Sequence, residues 1–265
     1  MGVLMFPACA FAQTWSGASL SASGTIADVL ARLQQTLADR PIDDHSKLEL
    51  SAQTKESLEK DIERLHSRLL ALRSECARDL RESNRDTKLS TLMHCERSRL
   101  SQEMTMLQKL NIRTEQTPGA DAGFRTRTLL ATSELIDAIR AIVRAIDAGL
   151  FQSAAELQMS LARLLERYRI PRLIALERWR ADRARAWMSL TVHRIATLYV
   201  KETISPEQAT TLREGLLCLE KQHALLQSVT TENDYEKIKS IVKQYEPGLK
   251  ECLLLLRETR KQPKV

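Results

Sequence analysis

Two groups of residues in this chain have types and spacings that could do chemistry. The first lies between positions 163 and 187, where Arg163, Arg167, Arg169, Arg172, Arg178, Arg180, Arg183 and Arg185 interleave with Tyr168, Trp179 and Trp187. Only Glu166, Glu177 and Asp182 stand against these eight arginines. A guanidinium presents a planar fork of donors to carboxylates and phosphates and stacks on indole rings, so such a tract can grip an anionic partner or a sugar. The binding candidates are Arg172, Arg178, Trp179, Arg180, Arg183, Arg185 and Trp187. The competing reading is structural: arginine stems cover an apolar seam while the tryptophan rings fill a core.

The second group is Glu-x-x-His, present as Glu63-Arg64-Leu65-His66 and again as Glu220-Lys221-Gln222-His223. In di-iron helical bundles two such motifs point inward and two further helices add one Glu each. Here His223 falls on the apolar stripe of its segment, whereas Glu63 and His66 flank theirs, and no inward Glu is evident between them. Metal ligation is therefore the weaker reading of these four residues, and no cofactor is expected. The chain also lacks a Gly-rich phosphate loop, His-Glu-x-x-His, Cys-x-x-Cys and Gly-x-Ser-x-Gly, the signatures of familiar nucleotide enzymes and hydrolases. No catalytic residue is assigned, and the expectation is a non-enzymatic protein.

The elements that must position these residues are helices. Leu58, Ile62, Leu65, Leu69, Leu72 and Cys76 are spaced alternately four and three apart, a heptad stripe that lets a helix bury one face against another. Similar stripes run through Leu129, Thr132, Ile136, Ile139, Val143, Ile146 and Leu150, through Leu212, Leu216, Leu219, His223 and Leu226, and through Ile238, Val242, Tyr245, Leu249, Cys252 and Leu256. Eight glycines, seven prolines and 4% aromatic residues in 265 positions argue against sandwiches, barrels and nucleotide-binding α/β folds. The fold class expected is all-α: a long antiparallel helical hairpin plus a C-terminal helical bundle with coiled-coil-like heptads, about six helices in all. The polar break Ser83-Asn84-Arg85-Asp86-Thr87 is the expected hairpin turn, and Thr117 to Gly123 is the expected linker. This divides the chain into a signal peptide at 1–12, an N-terminal helix and hairpin at 13–116, and a C-terminal bundle at 124–260. Gly149 is expected to end a helix, Pro171 to kink or begin one, and Ser205-Pro206-Glu207-Gln208 to start one.

Compartment follows from the N-terminus and the cysteines. Val3 to Ala12 is uncharged, mostly apolar and ends in Ala-Phe-Ala, a small-x-small cleavage pattern that would leave Gln13 first, although no Lys or Arg precedes it. Removal of that segment takes Cys9 with it and leaves four cysteines, an even number suited to an oxidising space. Cys76 and Cys95 lie symmetrically about the predicted turn and are the expected disulfide. Pairing Leu72 with Leu100 would set a register one residue away from it. For Cys218 and Cys252, a turn placed near Thr230 is not symmetric and decides nothing. The chain is thus expected to be periplasmic or secreted, and cytoplasmic if the first segment is not a signal. A formal charge of +6 spread along the chain is too mild for a nucleic-acid footprint, and export would set nucleic acid aside. The expected partners are proteins met along helix faces, with self-association as a further expectation. An anionic polymer or lipid surface held by the arginine and tryptophan residues is the alternative function, and a helical-bundle metalloprotein ranks below it.

Overall fold

A computed structural model describes residues 25–37, 52–117, 121–201 and 204–261. Among the described residues the chain is all-α, as the stripes require, with α1 (Ile26–Leu37), α2 (Ala52–Glu82), α3 (Lys88–Gln116), α4 (Ala122–Asp147), α5 (Ala154–Leu164), α6 (Ile170–Lys201), α7 (Pro206–Thr231) and α8 (Tyr235–Lys261). These are eight α-helices against about six expected from the sequence. The expected signal peptide at 1–12 and the polar segment at 13–24 lie outside the described residues. No helix among the described residues is long and apolar enough to cross a membrane.

Local chemistry explains where the helices begin and end. Asn84 organises the turn after α2, its side-chain oxygen accepting from the backbone N–H of Asp86 and Thr87 at 3.1 and 2.9 Å. Asp121 accepts from the N–H of Gly123 and Phe124 and so caps α4. At the other end of α4, Gly149 takes φ of +63°, while the N–H groups of Gly149 and Leu150 return to the carbonyls of Ile146 and Ala145. That is a Schellman ending, in which glycine accepts a left-handed backbone that a Cβ would strain. Ser205 and Gln208 form a reciprocal capping box at the start of α7, with Pro206 in the first turn where its missing N–H costs nothing.

Pro171 neither ends a helix nor starts one after a loop. It cannot donate to the carbonyl one turn earlier, and the backbone instead widens to a π-helical turn over Leu165–Arg169, with the Ile170 N–H reaching the Leu165 carbonyl. The chain therefore winds from α5 into α6 without a break, displaced by one residue. This shift helps set which side chains of the arginine tract turn inward.

Two apolar cores result. One gathers Val29 and Leu33 of α1, Met188 and Val192 of α6, Leu216, Leu219 and Leu226 of α7, and Ile238 and Cys252 of α8. The other gathers Leu100 and Leu107 of α3, Leu135 and Ile139 of α4, and Leu157 and Leu164 of α5. Full burial of each such side chain is worth about 1.5–3 kcal/mol relative to exposure. Helix α6 serves both ends of the molecule, packing on α4 and on α1, α7 and α8. Its meeting with α4 includes buried polar groups: Thr128 and Thr132 are buried there, and the Thr128 hydroxyl donates to the Ala175 carbonyl at 3.0 Å. Residues 117–123 carry α3 into α4, and these two helices share the second core.

Both pairs of cysteines lie at disulfide distance. Cys76 and Cys95 join α2 to α3 with Cα atoms 5.5 Å apart, and Cys218 and Cys252 join α7 to α8 with Cα atoms 5.4 Å apart. The second pair is centred on Tyr235, beside the true turn at 232–234 rather than at Thr230. Gly215 lets α8 come close, because a Cβ built there would lie 2.7 Å from Leu256 Cδ2.

Candidate functional site

Helix α6 divides the seven binding candidates by depth. Arg172, Trp179 and Arg185 are buried, Arg178 is half-buried, and Arg180, Arg183 and Trp187 are exposed. A helix of this length, packed on α4 and on the first core, presents successive residues to different surroundings, so a tract continuous in sequence does not make one surface in space.

The inward arginines make structural ties. The Arg178 guanidinium donates to the Glu232 backbone carbonyl at 2.5 Å and to Asn233 Oδ1 at 2.7 Å, placing a cation at the C-terminal end of α7 where the helix dipole favours one. Arg185 Nε donates to His223 Nε2 at 3.2 Å with both side chains buried, an arrangement that needs the acceptor nitrogen unprotonated. Arg172 reaches Thr132 Oγ1 at 3.4 Å. Arg169, in the π turn, forks onto Glu103 of α3, with Nε at 2.9 Å, and Arg99 pairs with both Glu96 and Glu103. Glu96, which breaks the apolar stripe of α3, is thus neutralised in place. Burial lowers the pKa of Arg172, Arg178 and Arg185 below the ordinary arginine value, and it raises that of Glu177 against the opposing pull of Arg180.

The exposed members are arranged differently. Arg180 pairs with Glu177 at 2.8 Å, while Arg183 lies over the Trp179 ring, 5.6 Å from its centroid. Arg183 also lines a groove of 220 Å³ together with Lys55, Leu58 and Glu59 of α2 and Arg113 and Gln116 of α3. Sequence reasoning identified Arg183 but missed Lys55, Arg113 and Gln116. They come from two other helices, and no local spacing joins positions that only the tertiary fold brings together.

The two Glu-x-x-His motifs occupy unlike places. Glu63 and His66 are exposed on α2, whereas Glu220 pairs with Arg32 of α1 at 3.0 Å and His223 is the buried partner of Arg185. Helix α2 packs on α3, while α7 packs on α8, α6 and α1, so the motifs do not converge. Among the described residues no group of three His, Cys, Asp or Glu side chains is placed to hold a metal ion.

Among the described residues, α2 is a half-covered helix. Leu58, Ile62, Leu65, Leu69, Leu72 and Cys76 are half-buried against α3, and no described side chain of α2 is fully buried. Leu70 is 52% exposed beside the stripe. Ion pairs hold the lower part of the helix to α3, Glu59 with Arg113 at 2.9 Å and Asp61 with Lys109 at 2.6 Å. Comparison with models of protein families, with curated proteins and with solved structures finds no match.

Proposed function

We propose that the protein is a non-enzymatic, exported helical interaction module that meets a protein partner along the hairpin formed by α2 and α3. The observation that carries this reading is the half-covered stripe of α2, a 31-residue helix with no fully buried described side chain. A stripe spaced for helix contact and covered from one side supports the addition of one further helix, and i, i+3, i+4 and i+7 anchors are how helices dock in such grooves. Export is supported by two cysteine pairs at bonding distance, which suit an oxidising space, and by the apolar Val3 to Ala12 segment. The inward arginines of α6 support the same reading, since Arg178 and Arg185 donate to the end and the body of α7 and Arg172 reaches Thr132 of α4.

The test is site-specific photo-crosslinking in the native host. A crosslinker at Leu70 and one at exposed Arg140 on α4 are compared, with light scattering of the purified protein run alongside. One defined adduct from Leu70, absent from Arg140 and lost with Ile62→Glu, supports the proposal. Adducts that do not differ between the two positions contradict it. A purified protein that dimerises through Leu70 would assign the stripe to a second copy of this chain instead.

A further inference from the structure

Helices α6 and α8 each run antiparallel to α7, so they are parallel to one another, and they pack together. Coulombic reach fixes their register: Tyr235 reaches Arg172, and Tyr245 reaches Arg180 and Arg183. The same offset carried along both helices sets Lys243 level with Arg180, Lys250 with Trp187 and Arg257 with Arg194. Within each helix these residues recur every seventh position, two turns or about 10 Å, and so keep to one face. All six are exposed. Exposed Arg183 and Leu254 stand between them, with Trp187 41% and Leu254 58% exposed. Arg180 is paired with Glu177, and Arg183 lies over the Trp179 ring. Arg183, Arg194, Lys243, Lys250 and Arg257 have no carboxylate partner among the described residues. Glu246, within reach of Glu177 and Tyr245, opposes them from the same side of α8.

We infer that this face of α6 and α8 docks on an anionic lipid bilayer, with Trp187 and Leu254 entering the headgroup region between two rows of cations. Charge complementarity carries the choice of an anionic partner, because the unpaired guanidiniums and ammoniums outnumber the carboxylate beside them. A negatively charged leaflet attracts each Lys or Arg held at its surface, and each adds about fivefold to partitioning. The exposed apolar side chains decide between a leaflet and a dissolved polyanion. Indole and leucine gain burial at the boundary of headgroups and acyl chains, while the longer arginine and lysine stems carry their charges to the phosphates. A hydrated polymer would leave both apolar groups in water. Two parallel rows also suit a plane of many headgroups better than one small ligand. The inference does not depend on the partner proposed for the α2 stripe.

The experiment mixes the full oxidised chain with vesicles of phosphatidylcholine alone and with vesicles of equal parts phosphatidylcholine and phosphatidylglycerol. Sedimentation measures partitioning, and brominated lipid measures tryptophan quenching. Binding to the mixed vesicles only, falling as salt rises, is the expected result, with quenching that Trp187→Phe abolishes. Lys250→Glu with Arg257→Glu should weaken partitioning about twentyfold or more, and Arg194→Glu about fivefold or more. Arg140→Glu with Arg144→Glu makes the same change of net charge on exposed positions of α4 and should have far less effect. These exposed substitutions leave both cores intact, which circular dichroism of each variant checks. Equal partitioning to the two kinds of vesicle, or equal losses from the α8 and α4 double variants, would overturn the site. Binding to soluble polyphosphate as tight as to the mixed vesicles, with no quenching of Trp187 by lipid, would assign the face to a dissolved polyanion and overturn the lipid surface.

Discussion

The hairpin of α2 and α3 and the hairpin of α7 and α8 are built on the same plan and end in different surroundings. Each is a pair of long antiparallel helices with apolar residues at heptad-like spacing and one pair of cysteines across it, Cα atoms 5.5 and 5.4 Å apart. In α7, Leu216, Leu219, Leu226 and Val229 are completely buried, because α1, α6 and α8 close around them. In α2 the equivalent residues reach only half-burial, and among the described residues α3 is the helix that packs along them. The spacing of apolar residues states that a helix has a face to cover. It does not state how many neighbours will cover it, and here that number separates the enclosed hairpin from the half-covered one.

Substitutions that empty equivalent positions should separate the two hairpins most. Leu219→Ala in α7 should cost about 2–5 kcal/mol, because a fully enclosed site keeps its cavity, whereas Leu65→Ala in α2 should cost less than half as much; urea unfolding of both variants measures the difference. The cysteine pairs sharpen the contrast, since sequence separations of 19 and 34 residues give bridges worth about 3 and about 4 kcal/mol in chain entropy. Removing Cys218 and Cys252 together should lower the global unfolding midpoint. Removing Cys76 and Cys95 should loosen α2 while leaving the α7 and α8 core folded, as circular dichroism and limited proteolysis would distinguish.

Adding bulk probes how closely the covered hairpin fits. Gly215→Val should destabilise by about 1–3 kcal/mol, because the new side chain meets Leu256 before α8 can move away. A matching addition on the open side of α2, Ala71→Val, should cost far less. The smallest effect should come from acid. The hydrogen bond from Lys109 holds the Asp61 carboxyl below the ordinary carboxylate range, so the folded state binds that proton less readily than the unfolded state. The stabilisation is present above the unfolded carboxylate value and is lost as pH falls below about 4. Asp61→Asn should remove that pH dependence from the exchange of α2 amides without altering the response of α7.

Much of the fold was legible because its signals are local. Gly149, Ser205-Pro206 and the polar turn at Asn84 act through their own backbone, and each does what its residue type permits. The expected pairing of Cys76 with Cys95 rested on symmetry about that same turn. Cys218 with Cys252 was missed because the turn was placed near Thr230, although Asn233-Asp234 marks it better: Asp234 accepts from the N–H of Glu236 and Lys237 and caps α8. Pro171 could be flagged but not read, since a proline can end, kink or widen a helix and the neighbours decide which. The binding tract was the least legible part. Its arginines are on successive turns of one helix, but burial separates Arg172 and Arg185 from the exposed Arg180 and Arg183, and the groove residues Lys55, Arg113 and Gln116 lie far away in sequence.

The central claim is that, among the described residues, α2 is held by one helix and α7 by several, and hydrogen exchange of the oxidised full-length protein tests it most directly. Amides in the middle of α2 should exchange through openings of lower free energy than global unfolding, while those of α7 around Leu216 to Leu226 should exchange only with the global transition. Protection of α2 equal to that of α7 in the isolated monomer would contradict the account, since it would mean that the stripe is already fully covered.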